Sequence, residues 1–349
     1  MIGIIGGGQL GRMLALAGYP LGLTFRILDP KPNAPASYLA DHVAGSYDDH
    51  DALSRFARDL TIITYEFENI PIESVRLLAQ TCPVYPPPDA LATAQDRLLE
   101  KQFFQKLGIP TSTFAPINHR ADLDTALARF GLPAVLKTRR MGYDGKGQIT
   151  LRTPGDIPHA WERLGQHPLI LESLVPFERE LSVLAVRGHD RTTRFYPLIE
   201  NTHRDGILHR SQAPAPHLSP DLQQEAETYA HRVLDALNYV GVLAIELFQF
   251  GTTLLANEMA PRVHNSGHWT IEGAETSQFA NHLRAITGLP LGSTAPLGTA
   301  EMLNIIGTLP DPAEVLSRPD AHLHLYGKPP RPGRKLGHIT YCTRSTSTP

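Results

Sequence analysis

The opening residues limit the fold more than any other stretch. An apolar run over residues 2–5 passes into Gly6-Gly7-Gly8-Gln9-Leu10-Gly11, and an apolar helical pattern follows over residues 10–17. A short buried strand turning through glycines into a helix begins a parallel sheet, because parallel strands need crossover connections. The alternation continues. Residues 23–28 read as a strand ending at Asp29, residues 60–64 as another, and residues 72–80 as a helix. The loop fits Gly-x-Gly-x-x-Gly, and Asp29 stands about where a dinucleotide fold puts its ribose-binding carboxylate. Its backbone N–H groups could hold a phosphate, or the glycines could serve only the tight turn.

Four prolines in residues 83–88 cannot continue a helix or an inner strand, so a boundary is expected there, closing a first domain over residues 1–88. Residues 89–107 read as helical, with Gly108 and Pro110 as stop signals. Residues 134–136, 169–171 and 181–186 read as strands, and 225–237 as an amphipathic helix. Residues 242–250 and 253–259 read as a hairpin joined at Gly251-Thr252. Beyond about residue 295 the chain reads as loop-rich, with several prolines.

Composition excludes several classes. The formal net charge is -3, from 32 basic and 35 acidic residues, which argues against a nucleic-acid or polybasic membrane surface. Two cysteines, Cys82 and Cys342, exclude a disulfide framework and a cysteine-rich zinc site, and fit a reducing cytosol. No apolar run is long enough to span a bilayer, and the N-terminus lacks the basic stretch of a signal peptide. A cytoplasmic enzyme is the expectation. Sixteen histidines are scattered without His-Glu-x-x-His spacing.

The chemistry lies in four places. Lys137 ends an apolar strand, and a second glycine loop follows from Met141 to Gln148 with Lys146 in it. A glycine-rich lid carrying a lysine suits a triphosphate, although an exposed hairpin tip with solvated lysines has the same composition. Glu246 and Glu258 lie on the two strands of the expected hairpin. A three-residue loop over 251–253 puts them face to face, whereas a two-residue loop puts Asn257 opposite Glu246. Facing carboxylates repel, and Mg²⁺ is the natural offset; an edge hairpin with one glutamate solvated is the plainer reading. Arg262 then offers a planar fork for an anion, with His264, Asn265 and Ser266 as further donors, while His268 reads as an ordinary surface histidine. Last, Lys328, Arg331, Arg334 and Lys335 form a rigid basic cluster that suits a nucleotide monophosphate or simply a solvated turn.

Together these elements resemble the ATP-grasp superfamily, and within it the N5-carboxyaminoimidazole ribonucleotide synthase family. The resemblance is carried by Gly6 to Met13, Thr64-Tyr65-Glu66-Phe67-Glu68-Asn69, Gly142 to Gln148, Asn257 to His268, and Arg331 to Lys335. It implies an α/β fold: an ATP-grasp domain over residues 89–295 with a lid subdomain over about 108–178, preceded by a Rossmann-like parallel-sheet domain and followed by a small β-rich region over 296–349. It implies ATP and Mg²⁺ as cofactors, aminoimidazole ribonucleotide and bicarbonate as substrates, and a homodimer.

The resemblance also implies roles. Arg97 and Lys137 would contact ATP phosphates under a lid of Gly142, Tyr143, Asp144, Gly145, Lys146, Gly147 and Gln148. Glu172, Ser173, Leu174 and Val175 would form the hinge strand against adenine. Glu180 would bind the ribose hydroxyls, and His203 would lie near the nucleotide. Glu246 and Glu258 would hold Mg²⁺, with Asn257 beside them. Arg262, His264, Tyr143 and Asp144 would be catalytic. Gly8, Gln9, Leu10, Tyr143, Asp144, Lys146, Arg262, His264, Asn265, Ser266, Lys328, Arg331 and Arg334 would line the substrate pocket, so the first glycine loop would face substrate and not NAD. Two departures from the family pattern stand out: Lys146 occupies a position where other members carry arginine, and the sequence stops soon after Tyr341, where the pattern continues through a helical segment. Outside this family, an NAD-dependent oxidoreductase built on the first loop, a different ATP-grasp ligase and a non-catalytic nucleotide-binding regulator are the rival readings.

Overall fold

The computed structural model describes residues 1–142 and 144–344. Strands β1 (Ile2–Ile5), β2 (Phe25–Asp29), β3 (Asp41–Ala44) and β4 (Ile62–Tyr65) form the expected parallel sheet, in the order β3-β2-β1-β4. The helix Gln9–Gly18 has no side-chain cap of its own at Gly8. Its free N-terminal amides are met by Glu66, just past β4, which accepts from Gly8 (2.7 Å), Leu10 (3.1 Å) and Gly11 (3.2 Å).

A second sheet of four strands contains β5 (Phe114–Ile117), β6 (Ala134–Thr138), β7 (Gln148–Leu151) and β8 (Leu169–Ser173), in the order β5-β8-β6-β7. The third and largest holds β9 (Arg179–Arg187), β10 (Thr193–Phe195), β11 (Ile199–Arg204), β12 (Ile207–Ala213), β13 (Gly241–Phe250), β14 (Thr253–Ala260), β15 (Gly298–Ile306), β16 (Ala321–Leu325) and β17 (Lys335–Arg344). Its order is β14-β13-β9-β11-β12-β15-β17-β16, with β10 beside β9. The stretch past residue 295 is therefore not a loop-rich tail: three strands extend the central sheet, and this puts the late basic cluster beside the site. The helical stretch after the prolines divides into Pro88–Ala94 and Arg97–Lys106, and the later amphipathic helix begins earlier than its pattern suggests, at Pro220–Ala236.

The first sheet and the largest one share a core. Ile2, Leu10, Met13, Leu14 and Phe25 pack with Val186, Val242, Phe279, Leu283 and Ile286. Buried His282 ties the two further, meeting Thr64 Oγ1 at 2.9 Å and accepting from the Val242 amide at 3.1 Å. Burial holds its pKa down at about 3, so it stays a neutral strut. This shared core fixes the first glycine loop relative to the central sheet. Among the described residues no helix is long and apolar enough to cross a membrane.

Candidate active site

The site is built on one face of the large sheet, around the β13–β14 hairpin. The hairpin turn has two residues, with Phe250 opposite Thr253, and that register alone would set Asn257 against Glu246. A bulge between Glu246 and Leu247 absorbs one residue: Leu247 pairs with Ala256, and Glu246 pairs with Glu258. The carboxylates do face each other, through a two-residue turn plus a bulge at Asn257 and not through a three-residue loop.

Hydrogen-bond donors of the protein offset their repulsion. Arg97 Nη1 donates to Glu258 Oε2 at 2.5 Å, and His264 Nε2 lies 3.2 Å from Glu246 Oε1. Burial would raise the Glu246 pKa. The hydrogen bond from His264, with the positive surroundings of His203 and Lys335, lowers it instead to about 2, so the carboxylate is ionised. Asn257 Oδ1 is buried with no hydrogen-bond partner among the described residues. Two carboxylates and an unsatisfied amide oxygen are hard oxygen donors, a set that fits Mg²⁺. Among the described residues no three acidic, histidine or cysteine side chains complete a metal cage, so the remaining oxygens would come from phosphates.

Beside this pair lies a buried charge cluster. Lys137 Nζ is 3.1 Å from Glu172 Oε1, and Lys101 Nζ is 3.2 Å from Glu172 Oε2. Burial opposes ionisation of Glu172, yet the two lysines drive its pKa far below the usual carboxylate range. Lys101, only 1% exposed, was not legible as a site residue, because one lysine on an amphipathic helix reads as solvated. The Glu172 side chain thus faces inward, while Ser173, exposed Leu174 and Val175 follow it along the strand end. Glu180 pairs with His203, whose pKa rises on that contact against the lowering effect of burial.

The second glycine loop folds over this face. Asp96 caps the Arg97–Lys106 helix and grips the base of the loop through Arg139 (2.9 and 2.7 Å) and Arg140 (3.2 Å). Gly142 lies against Arg97, and Gln148 starts β7 opposite Lys137. Gly145 and Gly147 take positive φ, and Gly145 packs backbone to backbone on Gly206 in the β11–β12 turn. Lys335 Nζ donates to Asp144 Oδ1 at 2.7 Å. Lys146, on the same loop, is exposed. Tyr143 lies outside the described residues.

The loop after β14 is placed differently from its sequence reading in three respects. Arg262 reaches Glu68, Nε donating to Oε2 at 2.5 Å and Nη2 lying equally close, while Nη1 donates to the Val263 carbonyl at 3.1 Å, so each nitrogen of the fork already has one partner. Ser266 is wholly buried beneath His264, and Asn265 makes a reciprocal amide pair with Asn304 (3.1 and 2.8 Å), so both support the loop instead of lining a cavity. His268 is fully buried, not a surface histidine, and packs against His338. Gln278, which the sequence did not single out, clamps the His264 backbone: its Oε1 accepts from the amide at 2.9 Å and its Nε2 donates to the carbonyl at 2.6 Å.

The first glycine loop also differs. Its amides at Gly8 and Leu10 are filled by Glu66, and Gly7 donates to Asp29 at 2.8 Å, so these N–H groups are not an open phosphate cradle. The Gln9 side chain instead meets Lys328. Lys328 and Lys335 therefore bridge from the late basic loop to the first and second glycine loops, with exposed Arg331 and half-buried Arg334 between them.

Known proteins match this arrangement along the whole chain. A ribonucleotide synthetase preATP-grasp domain model matches residues 1–95, an ATP-grasp domain model 102–279, and a phosphoribosylaminoimidazole carboxylase C-terminal domain model 300–348. The chain is 56% identical to the N5-carboxyaminoimidazole ribonucleotide synthase of Pseudomonas aeruginosa, over 97% of this chain and 93% of that one. The crystal structure of the Thermus thermophilus synthetase superposes with a TM-score of 0.95 at 60% identity, covering 98% of this chain and 94% of the other. An Aspergillus clavatus synthase in complex with ADP and 5-aminoimidazole ribonucleotide superposes at 0.92 with 34% identity, covering 98% and 93%. Fold and site together define an ATP-grasp ligase. Within that class, the chain belongs to the N5-carboxyaminoimidazole ribonucleotide synthase family.

Proposed function

We propose that this chain carboxylates aminoimidazole ribonucleotide to N5-carboxyaminoimidazole ribonucleotide, using ATP and bicarbonate, in purine biosynthesis. The observation that carries the proposal is the bulged hairpin that brings Glu246 and Glu258 face to face beside Arg97, Arg262 and His264. Glu246 and Glu258, with Asn257, would hold Mg²⁺, which when bound neutralises phosphate oxygens. Arg97 and Lys137 bind the phosphates, the 172–175 strand end faces adenine, and Glu180 takes the ribose hydroxyls near His203. Bicarbonate oxygen attacks the γ-phosphorus, the bond to the bridging oxygen breaks, and ADP leaves. The amine nitrogen then takes the carboxyl carbon, from carboxyphosphate or from CO₂ released in the closed site. Phosphate departs and the amine gives up one proton. Side chains position and neutralise; they form no covalent intermediate. Arg262 and His264 line the carboxylation site, and the family resemblance supports a cytoplasmic homodimer.

The test is ADP release with aminoimidazole ribonucleotide, with and without bicarbonate. ADP release that needs both is expected; release indifferent to bicarbonate overturns the reading.

Lid docking excludes water from carboxyphosphate in this scheme. Gly206 has φ 75°, and a Cβ there would collide with Gly145. Gly206→Val is expected to undock the lid, raise KM for ATP, and raise the ADP released per carboxylated product above one. Parallel ADP and product assays check this; a ratio unchanged from wild type removes Gly206 from lid closure.

Gln9, Lys328, Arg331 and Arg334 face the ribonucleotide phosphate in this reading. Burial, against the pull of Glu66 and with the push of Arg334, lowers the Lys328 pKa to about 8. The cation is present below that pH and lost as pH rises through it. KM for the ribonucleotide is therefore expected to climb from about pH 8 upward, and Lys328→Arg to flatten that climb. A KM profile flat through this range in the wild type counts against Lys328 as the phosphate ligand.

A further inference from the structure

His264 ends a chain of buried polar groups that runs across the sheet. Ser211 Oγ on β12 donates to Asn201 Oδ1 on β11 at 2.7 Å. Asn201 Nδ2 donates to Ser182 Oγ on β9 at 3.0 Å, and Ser182 Oγ donates to Ser266 Oγ at 2.8 Å. Ser266 Oγ lies 2.9 Å from His264 Nδ1. The three serines are wholly buried, and Asn201 nearly so. Such groups must find their partners inside the protein, so each link fixes the next. The Asn201 carbonyl takes the Ser211 proton, which turns its NH₂ towards Ser182. The Ser182 oxygen is then an acceptor, and its proton goes to Ser266. The Ser266 proton is left for His264 Nδ1.

The backbone supplies a second donor whose sense cannot be reversed. The Ser266 amide N–H donates to the same Nδ1 at 3.3 Å. With two donors directed at it, Nδ1 is an acceptor and carries no proton. The single ring proton of a neutral imidazole then sits on Nε2, the atom that faces Glu246. Gln278 holds the His264 backbone from the other side, so the ring has little freedom to turn over.

We propose that Ser182, Asn201 and Ser211 are positioning residues that fix His264 as its Nε2–H tautomer, so that it presents a hydrogen-bond donor and not a basic lone pair to the carboxylation site. The significance for catalysis rests on the reading of that site given above. His264 then binds an anionic oxygen, whether the Glu246 carboxylate or the oxyanion of the carboxylating species. It does not take the proton released by the amine. The chain that imposes this reaches β12, where no residue was singled out from the sequence.

The tautomer can be read directly in the full-length protein labelled with ¹⁵N-histidine. The His264 ring signals are those missing from the spectrum of His264→Gln. At neutral pH the wild type is expected to show an unprotonated Nδ1 and a protonated Nε2. Ser182→Ala, which cuts the chain, is expected to give mixed tautomers and lower kcat by about 10–100-fold, with KM for ATP unchanged. Ser182→Thr keeps the hydroxyl and is expected to retain both the tautomer and kcat. A wild-type ring protonated on Nδ1 overturns the proposal, as does an Ala variant with the wild-type ring pattern. Mixed tautomers with kcat untouched would confirm the device and instead sink the placing of His264 at the carboxylation site.

Discussion

Glu258→Gln is expected to lower ribonucleotide-dependent ADP release by on the order of 10²–10³-fold. The substitution keeps shape and removes one charge from the bulged pair. Two consequences follow from the geometry. The hard-oxygen donor set around Asn257 Oδ1 loses half its negative charge, and Mg²⁺ held by one or two carboxylates cannot spare it. Arg97 also loses the carboxylate it contacts at 2.5 Å, so its guanidinium is freed for the nucleotide phosphates. Affinity for metal-free ATP should therefore hold or improve while affinity for Mg-ATP falls, a divergence that calorimetric titrations with and without Mg²⁺ will display. Glu246→Gln should behave alike in turnover but without the gain in metal-free binding, since Glu246 is paired with His264 and not with Arg97. Wild-type turnover by Glu258→Gln removes the pair from the mechanism.

That pair also shows how far the sequence could be read. The two glutamates stand out because acidic residues interrupt apolar strands, and a hairpin at Gly251-Thr252 is readable from composition, though not the length of its turn. The bulge at Asn257 was not. A bulge depends on how one strand meets its partner, and nothing local in Leu-Leu-Ala-Asn-Glu-Met announces an extra residue. The parallel sheet at the start was legible because strand, glycine turn and helix follow one another along the chain. The last strands were hidden for the opposite reason. β15 and β17 pair across a long intervening segment that contains prolines and a basic turn, so local propensity had little to report.

Burial within polar loops was equally opaque. Ser266 reads as a donor of an anion cradle and His268 as an ordinary surface histidine because their neighbours are polar, yet both lie fully inside. Glu66 caps the helix through the amides of Gly8 and Leu10, 58 and 56 residues earlier, and no spacing rule connects them. The residues that chemistry marks by type were found from sequence. Those that hold them in place, such as Gln278, Lys101 and Ser182, owe their roles to contacts between separate elements of the fold.

Arg262 is the second position where a large effect is expected, and there the loss should appear in stability as well as turnover. The guanidinium is largely buried and meets Glu68 Oε2 through Nε at 2.5 Å, with Nη2 at the same distance. Burial alone would raise the Glu68 pKa, but the charge and hydrogen bonds of Arg262 keep it below the usual value. Arg262→Met strands that carboxylate, and breaking a buried pair by removing one partner costs about 3–5 kcal/mol. Linkage gives the sign. A depressed folded-state carboxylate pKa contributes stability above the unfolded value and loses it as pH falls through the folded one. In Arg262→Met this contribution is gone, so the gap in Tm between variant and wild type should be wide at neutral pH and should narrow in acid. Replacing both partners, Arg262→Met with Glu68→Gln, should recover much of the stability, because the uncompensated charge is then absent. It should recover none of the turnover, because Arg262 is proposed to line the carboxylation site, and a glutamine at Glu68 cannot replace its guanidinium. Thermal unfolding and ADP release on the same three proteins separate the two roles. If the double variant regains activity together with Tm, Arg262 is a strut for the loop and not a ligand of the anion.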